Sequence, residues 1–195
     1  MTQDEVLNYF RQADALLEGH FILSSGLHAA KYLQCARVLM NPKRAEILCA
    51  SLADKIKQQI TTPIDMVVSP AMGGVIVGYE MGRQLGVEAI FVERVEGEFT
   101  LRRGFEIPKG ANILMSEDIV TTGLSSRECI KVIEQYGGNV VAASCLIDRS
   151  AGKADVGVPL VSLAQLEIAS YESDNLPPEL QDIPAIKPGS RGLKS

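Results

Sequence analysis

Two adjacent carboxylates, Glu117 and Asp118, are followed closely by Thr121, Thr122, Ser125 and Ser126, with Gly123 set among the hydroxyls. The residues before them, Asn112–Ser116, are apolar enough for a strand, and Leu124–Tyr136 carries a helical spacing. The polar group therefore falls at a strand-to-helix junction. A helix start leaves backbone N–H groups unpaired, and its dipole favours an anion there. The hydroxyls add donors, and Gly123 lets the backbone approach a phosphate closely. Ionised carboxylates beside such a cradle accept hydrogen bonds from both hydroxyls of a sugar diol. Phosphate cradle plus diol acceptor describes a ribose 5-phosphate site over Ile113–Ser126. A plainer reading stays open, with Glu117-Asp118 as a turn and Thr121-Thr122 as a helix cap.

Two further segments could serve an anion. Ser69-Pro70-Ala71-Met72-Gly73-Gly74 is a second strand-to-helix turn, and consecutive glycines suit a backbone nest as well as close helix–sheet packing. Glu93–Gly104 is polar, follows a strand and holds Arg94, Arg102 and Arg103. It reads either as a solvated hairpin or as a mobile flap that closes cations over an anion.

The elements that must position these groups alternate. Residues 2–18 carry Val6, Leu7, Phe10, Ala13, Leu16 and Leu17 at helical spacing, with Gly19 as the stop. Phe21–Leu23 and Lys31–Leu33 are short strand candidates around a turn at Ser24–His28. Pro42 opens a helix to about Gln59. Strands then follow at Asp65–Ser69, Glu88–Val92, Asn112–Ser116 and Asn139–Ile147, with helices at Gly73–Leu85 and Leu124–Tyr136 between them. That order predicts an α/β fold, a mainly parallel twisted sheet with helices on both faces. Ligands in such folds sit at the carboxyl ends of the strands. The division expected is a small N-terminal hood over 1–40, an α/β core over 41–170 and an irregular arm over 171–195, all one structural domain.

Composition narrows the classes. The chain has 195 residues, 46% hydrophobic and 22% charged, which suits a folded domain rather than disorder. Its net charge of −5 argues against nucleic acid as a partner. Cys35, Cys49, Cys129 and Cys145 form no C-x-x-C pair and read as free thiols in a reducing cytoplasm. His20 and His28 are expected at the hood surface. The acidic start MTQDEVLNYF is no signal peptide, and no apolar run reaches the roughly 18 residues of a membrane span.

The strand, the acidic pair, two apolar residues and then Thr121-Thr122-Gly123 resemble the motif by which type I phosphoribosyltransferases bind 5-phosphoribosyl-1-pyrophosphate (PRPP). Phe21-Ile22-Leu23-Ser24-Ser25-Gly26 and Asp148-Arg149 extend the likeness over about residues 16–150 and make it similar to the orotate phosphoribosyltransferases. The resemblance implies a glycosyltransferase of the pentosyl class, making orotidine 5′-monophosphate and pyrophosphate for pyrimidine synthesis. It implies PRPP contacts from Gly73, Gly74, Arg94, Glu117, Asp118, Ile119, Val120, Thr121, Thr122, Gly123, Leu124 and Ser125. Catalysis would fall to Glu117, Asp118, Arg102 and Arg103, and orotate to Thr121 and Arg149. An Arg is apt there, because a guanidinium meets a carboxylate bidentately. A surface salt bridge from Arg149 to Asp148 or Asp155 is the alternative. Mg²⁺ is implied as a cofactor held mainly by PRPP oxygens rather than by a protein metal site. A cytoplasmic homodimer is implied, with the flap reaching the neighbouring site. Many orotate enzymes carry Lys where this chain has Ser24 and Gly73, and a longer flap with several Lys and a His, so this chain resembles the short-flap branch. A purine-base enzyme of the same fold and a PRPP-sensing regulator are the rival functions.

Overall fold

Val67-Val68, Ile113–Met115 and the run Ala142–Ile147 hold no polar residue but one serine, so these stretches of strand need cover on both sides. The computed structural model, which describes residues 1–23 and 26–188, supplies it. β3 (Met66–Pro70), β4 (Glu88–Val95), β5 (Glu98–Leu101), β6 (Asn112–Val120), β7 (Asn139–Asp148) and β8 (Leu160–Gln165) form one six-stranded sheet in the order β5-β4-β3-β6-β7-β8. All neighbours run parallel except β5, which returns antiparallel on β4.

Successive side chains of one strand go to opposite cores, as the two-residue period of a strand requires. Val67 and Leu114 pack with α1 (Gln3–Gln12), α3 (Pro42–Gln59) and α4 (Gly74–Leu85) on one face. Met66, Val68, Ile113 and Met115 pack with α5 (Leu124–Gln135) on the other. The α/β reading with helices on both faces is correct. Local signals start and stop these helices. Thr2 and Glu5 form a capping box on α1. Asn41 caps α3 with Pro42 in its first turn, and Gly86 ends α4 in the left-handed conformation.

Three expectations need correction. The first helix stops at Gln12, and Leu16 and Leu17 belong to β1 (Leu16–Ile22), paired with Leu33 and Tyr32 of β2 (His28–Leu33). Apolar positions there fit both periods, and pairing with β2 decides the matter. Gly19 accordingly lies within a strand, where the β1–β2 register shifts between Glu18 and Phe21, and ends no helix. His20 is buried rather than at the surface. Its Nδ1 lies 2.8 Å from the Ile183 carbonyl and its Nε2 bonds the Nδ1 of His28.

The hood is a three-stranded sheet, β1-β2-β9, completed by β9 (Ser170–Tyr171). Short α2 (Cys35–Leu39) and α6 (Pro178–Gln181) had no clear sequence signal, and Leu180 of α6 is buried. Ser24 and Ser25 of the expected hood turn lie outside the described residues.

Candidate active site

From β3 the chain winds outward through α4 to β4, and from β6 it winds the other way through α5 to β7. The order reverses between β3 and β6, and at such a switch point the loops leaving the two strand ends part to open a crevice. The two anion-binding candidates occupy its two lips: Pro70–Gly74 after β3, and Glu117–Ser126 across the end of β6 and the start of α5. Between them lies a cleft of about 540 Å³, lined by Gly73, Gly74, Glu93, Arg94, Glu117, Asp118 and Ser125 among others.

Both readings of the glycine pair apply, one to each residue. A Cβ on Gly74 would lie 3.0 Å from Pro70 Cδ and 3.2 Å from the Ser116 carbonyl, so this glycine lets α4 sit close to the sheet. A Cβ on Gly73 would come within 2.9 Å of Asp118 Oδ1. Gly73 thus faces the Asp118 carboxylate across the cleft, with no room between them for a side chain unless that carboxylate shifts.

The carboxylates are held differently. Ser126 Oγ donates to Glu117 Oε2 at 2.5 Å. Burial pushes the Glu117 carboxyl up to about 7, with Asp118 adding to the rise and Ser126 and Arg94 opposing it. Asp118 Oδ1 accepts from the backbone N–H of Ile119 at 3.0 Å, and burial raises this carboxyl too. Val120 is core, and its carbonyl accepts from the Arg149 N–H at 2.8 Å, which ties the cradle strand to the next.

Beyond Val120, Thr121, Thr122 and Leu124 are exposed and Ser125 is half-buried. Gly123 has φ +74°, and a Cβ there would meet Val156 Cγ1 at 2.9 Å, so both conformation and space call for glycine. Arg127, which sequence reasoning passed over, braces this loop by bonding the carbonyls of Thr122 and Asp155.

The cations of the Glu93–Gly104 stretch sit on a tight hairpin whose two-residue turn, Glu96-Gly97, has φ of +52° and +93°. Arg94 stacks 4.0 Å over the Phe99 ring, donates to the Gly97 carbonyl and pairs with Glu128 of α5. It reaches the cleft. Arg102 and Arg103 do not line it; both turn to Glu93, at 3.6 and 2.9 Å. Glu93 and Glu128 had no local signal, because each meets its cation only after the strands pair.

Arg149 lies near Tyr32 and Cys35 on the side of the N-terminal sheet, and burial lowers its pKa. Its buried Nε has no hydrogen-bond partner. The salt-bridge alternative does not hold among the described residues. Asp148 accepts instead from Ser150 N, Ser150 Oγ and Gly152 N at 2.7, 2.6 and 2.8 Å, and Asp155 from Gly157 N at 2.8 Å. A buried donor left open at the carboxyl end of β7 is free to meet an acceptor from outside the chain.

Comparison with known proteins bears on this geometry. Residues 38–174 match the family described as phosphoribosyl transferase domain. An orotate phosphoribosyltransferase of Maricaulis maris is 58% identical over 99% of this chain and 100% of its own length. One from Novosphingobium aromaticivorans is 61% identical over 98% of each chain. The chain belongs to the orotate phosphoribosyltransferase family. The crystal structure of the family's member from Aeropyrum pernix superposes with a TM-score of 0.69 at 25% identity, over 83% of this chain and 93% of that one. An adenine phosphoribosyltransferase from Saccharomyces cerevisiae shares the fold, with a TM-score of 0.62 at 18% identity over 80% of this chain and 99% of that one. The fold is therefore common to enzymes of different bases, and the family rests on the sequence match.

Proposed function

We propose that this protein transfers the ribose 5-phosphate group of PRPP to orotate, giving orotidine 5′-monophosphate and pyrophosphate in pyrimidine biosynthesis. Family membership supports the activity. The single observation that carries the choice of base is the unpaired, buried Nε of Arg149 at the carboxyl end of β7, on the side of the N-terminal sheet. Orotate presents a carboxylate that a guanidinium can take bidentately, and a purine presents none.

In the reaction orotate N1 loses its proton to solvent or to the departing pyrophosphate, and a bond forms between N1 and the anomeric carbon as the bond from that carbon to pyrophosphate breaks. The electron pair leaves with the pyrophosphate oxygen. Thr121, Thr122 and Ser125 with the α5 start would hold the 5-phosphate, Glu117 and Asp118 the ribose hydroxyls, and Thr121 and Arg149 the orotate. The same carboxylates would ease positive charge growing on the sugar. Gly73, Gly74 and Arg94 would face the diphosphate. Arg102 and Arg103 reach it only by leaving Glu93, so their part requires the hairpin to move.

Among the described residues no group of three or more His, Cys, Asp or Glu side chains gathers as a metal site. The cleft lining fits an ion carried in by the oxygens of PRPP rather than one held by a ligand set of the protein. When bound, that ion would neutralise the leaving diphosphate.

A homodimer and a cytoplasmic setting complete the proposal. Met72, Ile76 and Tyr79 form an exposed stripe at helical spacing, 84, 46 and 70% accessible, which suits cover by a second copy. All four cysteines are free, and among the described residues no helix is long and apolar enough to cross a membrane. The test of the base is a spectrophotometric assay with PRPP, Mg²⁺ and orotate, adenine or hypoxanthine. Turnover of orotate alone is expected; consumption of a purine in its place would overturn the assignment, and PRPP binding without turnover would indicate a regulator.

A further inference from the structure

Ser126 occupies the first turn of α5 and is 1% exposed. A serine inside a helix ordinarily points to solvent or bonds the carbonyl one turn back. Here that carbonyl, of Thr122, accepts from Arg127 at 3.1 Å, and Ser126 Oγ instead crosses to β6 and donates to Glu117 Oε2 at 2.5 Å. Glutamate makes the crossing because its extra methylene reaches from the strand to the helix. The neighbouring aspartate stays local, on the N–H of Ile119. One Glu117 oxygen is thus committed to the helix that begins with the phosphate cradle, and the other is left for the cleft.

We propose that Ser126 is a positioning residue for phosphoribosyl transfer, locking the ribose-facing carboxylate of Glu117 to the helix that carries the phosphate cradle. This rests on the functional reading above. The link ties the diol acceptor directly to the helix of the phosphate donors, so the Glu117 carboxylate keeps a fixed place relative to that helix. It also favours the ionised carboxylate, the form that accepts from sugar hydroxyls. Glu117 is faced by Asp118 on its own strand, by Ser126 and Cys129 of α5, by Cys145 of β7 and by Arg94 of β4. Of these, only Ser126 donates a hydrogen bond to it. Removing that hydroxyl therefore leaves the carboxylate with burial and Asp118 opposing its charge and Arg94 alone supporting it.

The test compares wild type with Ser126→Ala and Ser126→Thr in the full chain. Carbon-13 NMR of the side-chain carboxyls, with the Glu117 signal assigned by its loss in Glu117→Gln, follows this group without any substrate. In parallel, kcat/KM for PRPP at saturating orotate is measured between pH 5.5 and 9.5; that profile reports groups of the free enzyme. In Ser126→Ala the Glu117 titration is expected to move up by about one pH unit, with the acid limb of kcat/KM moving alongside it. From a midpoint of about 7, this is about a fivefold loss at pH 7 that recovers above pH 9. Ser126→Thr should restore the limb to its wild-type position. An unmoved Glu117 titration in Ser126→Ala overturns the link. A moved titration with an unmoved acid limb overturns the positioning role. Absence of orotate turnover in wild type overturns the functional reading, and the titration still decides the link.

Discussion

Arg149 combines a cost to the fold with a use for the ligand, and replacing it by Met should separate the two. Its Nε is buried without a hydrogen-bond partner, and burial lowers its pKa. A buried donor left unpaired costs about 1–3 kcal/mol. Methionine keeps an unbranched apolar stem in the same place and removes the donor. Taking the lower end of that range, because the residue is only half-buried, Arg149→Met should stabilise the empty protein by about 1 kcal/mol. In a chain of this length that is a rise of about 2–4 °C in Tm. If Arg149 meets orotate as proposed, the same change removes a charge-assisted contact worth about 1.5–3 kcal/mol. The KM for orotate should then rise about 10- to 150-fold, with the KM for PRPP within about twofold of wild type. Thermal melts with and without orotate, together with steady-state kinetics varying each substrate, provide the check. Orotate should raise the Tm of wild type and leave the variant unmoved. An orotate KM unchanged in Arg149→Met, or an equal rise in both KM values, would refute the reasoning.

Two further outcomes follow from Asp118 and Glu117. In Gly73→Ala the new Cβ would stand 2.9 Å from Asp118 Oδ1, forcing the carboxylate off its 3.0 Å bond to the Ile119 N–H. That loss of about 1 kcal/mol or more should lower kcat/KM for PRPP about five- to tenfold with the circular dichroism unchanged; wild-type kinetics would show that the carboxylate yields freely. The second outcome concerns Glu117, whose carboxyl rises on folding from 4.5 to about 7. Between those values the folded protein holds a proton that the unfolded chain has released, so stability falls as pH rises through that window and levels off above it. Urea titrations at pH 5 and 7.5 should show a decline of at most about 1.4 kcal/mol per pH unit from this group. Glu117→Gln should flatten most of it, leaving the part due to Asp118; an equally steep decline in the variant would contradict the burial of the carboxyl.

The strand-to-helix junction at Glu117–Ser126 was legible in the sequence because its parts are local: strand, acidic pair, hydroxyls and glycine occur within one short segment. Arg149 was legible as a residue, but its open Nε appears only when Asp148 is seen to spend its oxygens on Ser150 and Gly152. Ser126 was read as a donor to the phosphate, whereas it is buried and donates to Glu117; Glu93, Glu128 and Arg127 were missed as partners because their bonds form across elements after folding. Leu16 and Leu17 were placed in a helix because their spacing fits both periods, and only the pairing with Tyr32 and Leu33 resolves it. β8 went unnoticed, since Leu160–Gln165 is a short run whose cover comes from α1 and α3, far away in the chain. Arg102 and Arg103 were assigned to the diphosphate by their charge, yet in this structure they neutralise Glu93.

The central claim is that one cleft carries PRPP and the base next to Arg149 is orotate. Incubating the purified protein with PRPP, Mg²⁺ and orotate, and measuring pyrophosphate together with orotidine 5′-monophosphate, tests it most directly. The account predicts that the two products appear in equal amounts, and that adenine or hypoxanthine in place of orotate yields neither nucleotide nor pyrophosphate. Pyrophosphate release with a purine and none with orotate would contradict it.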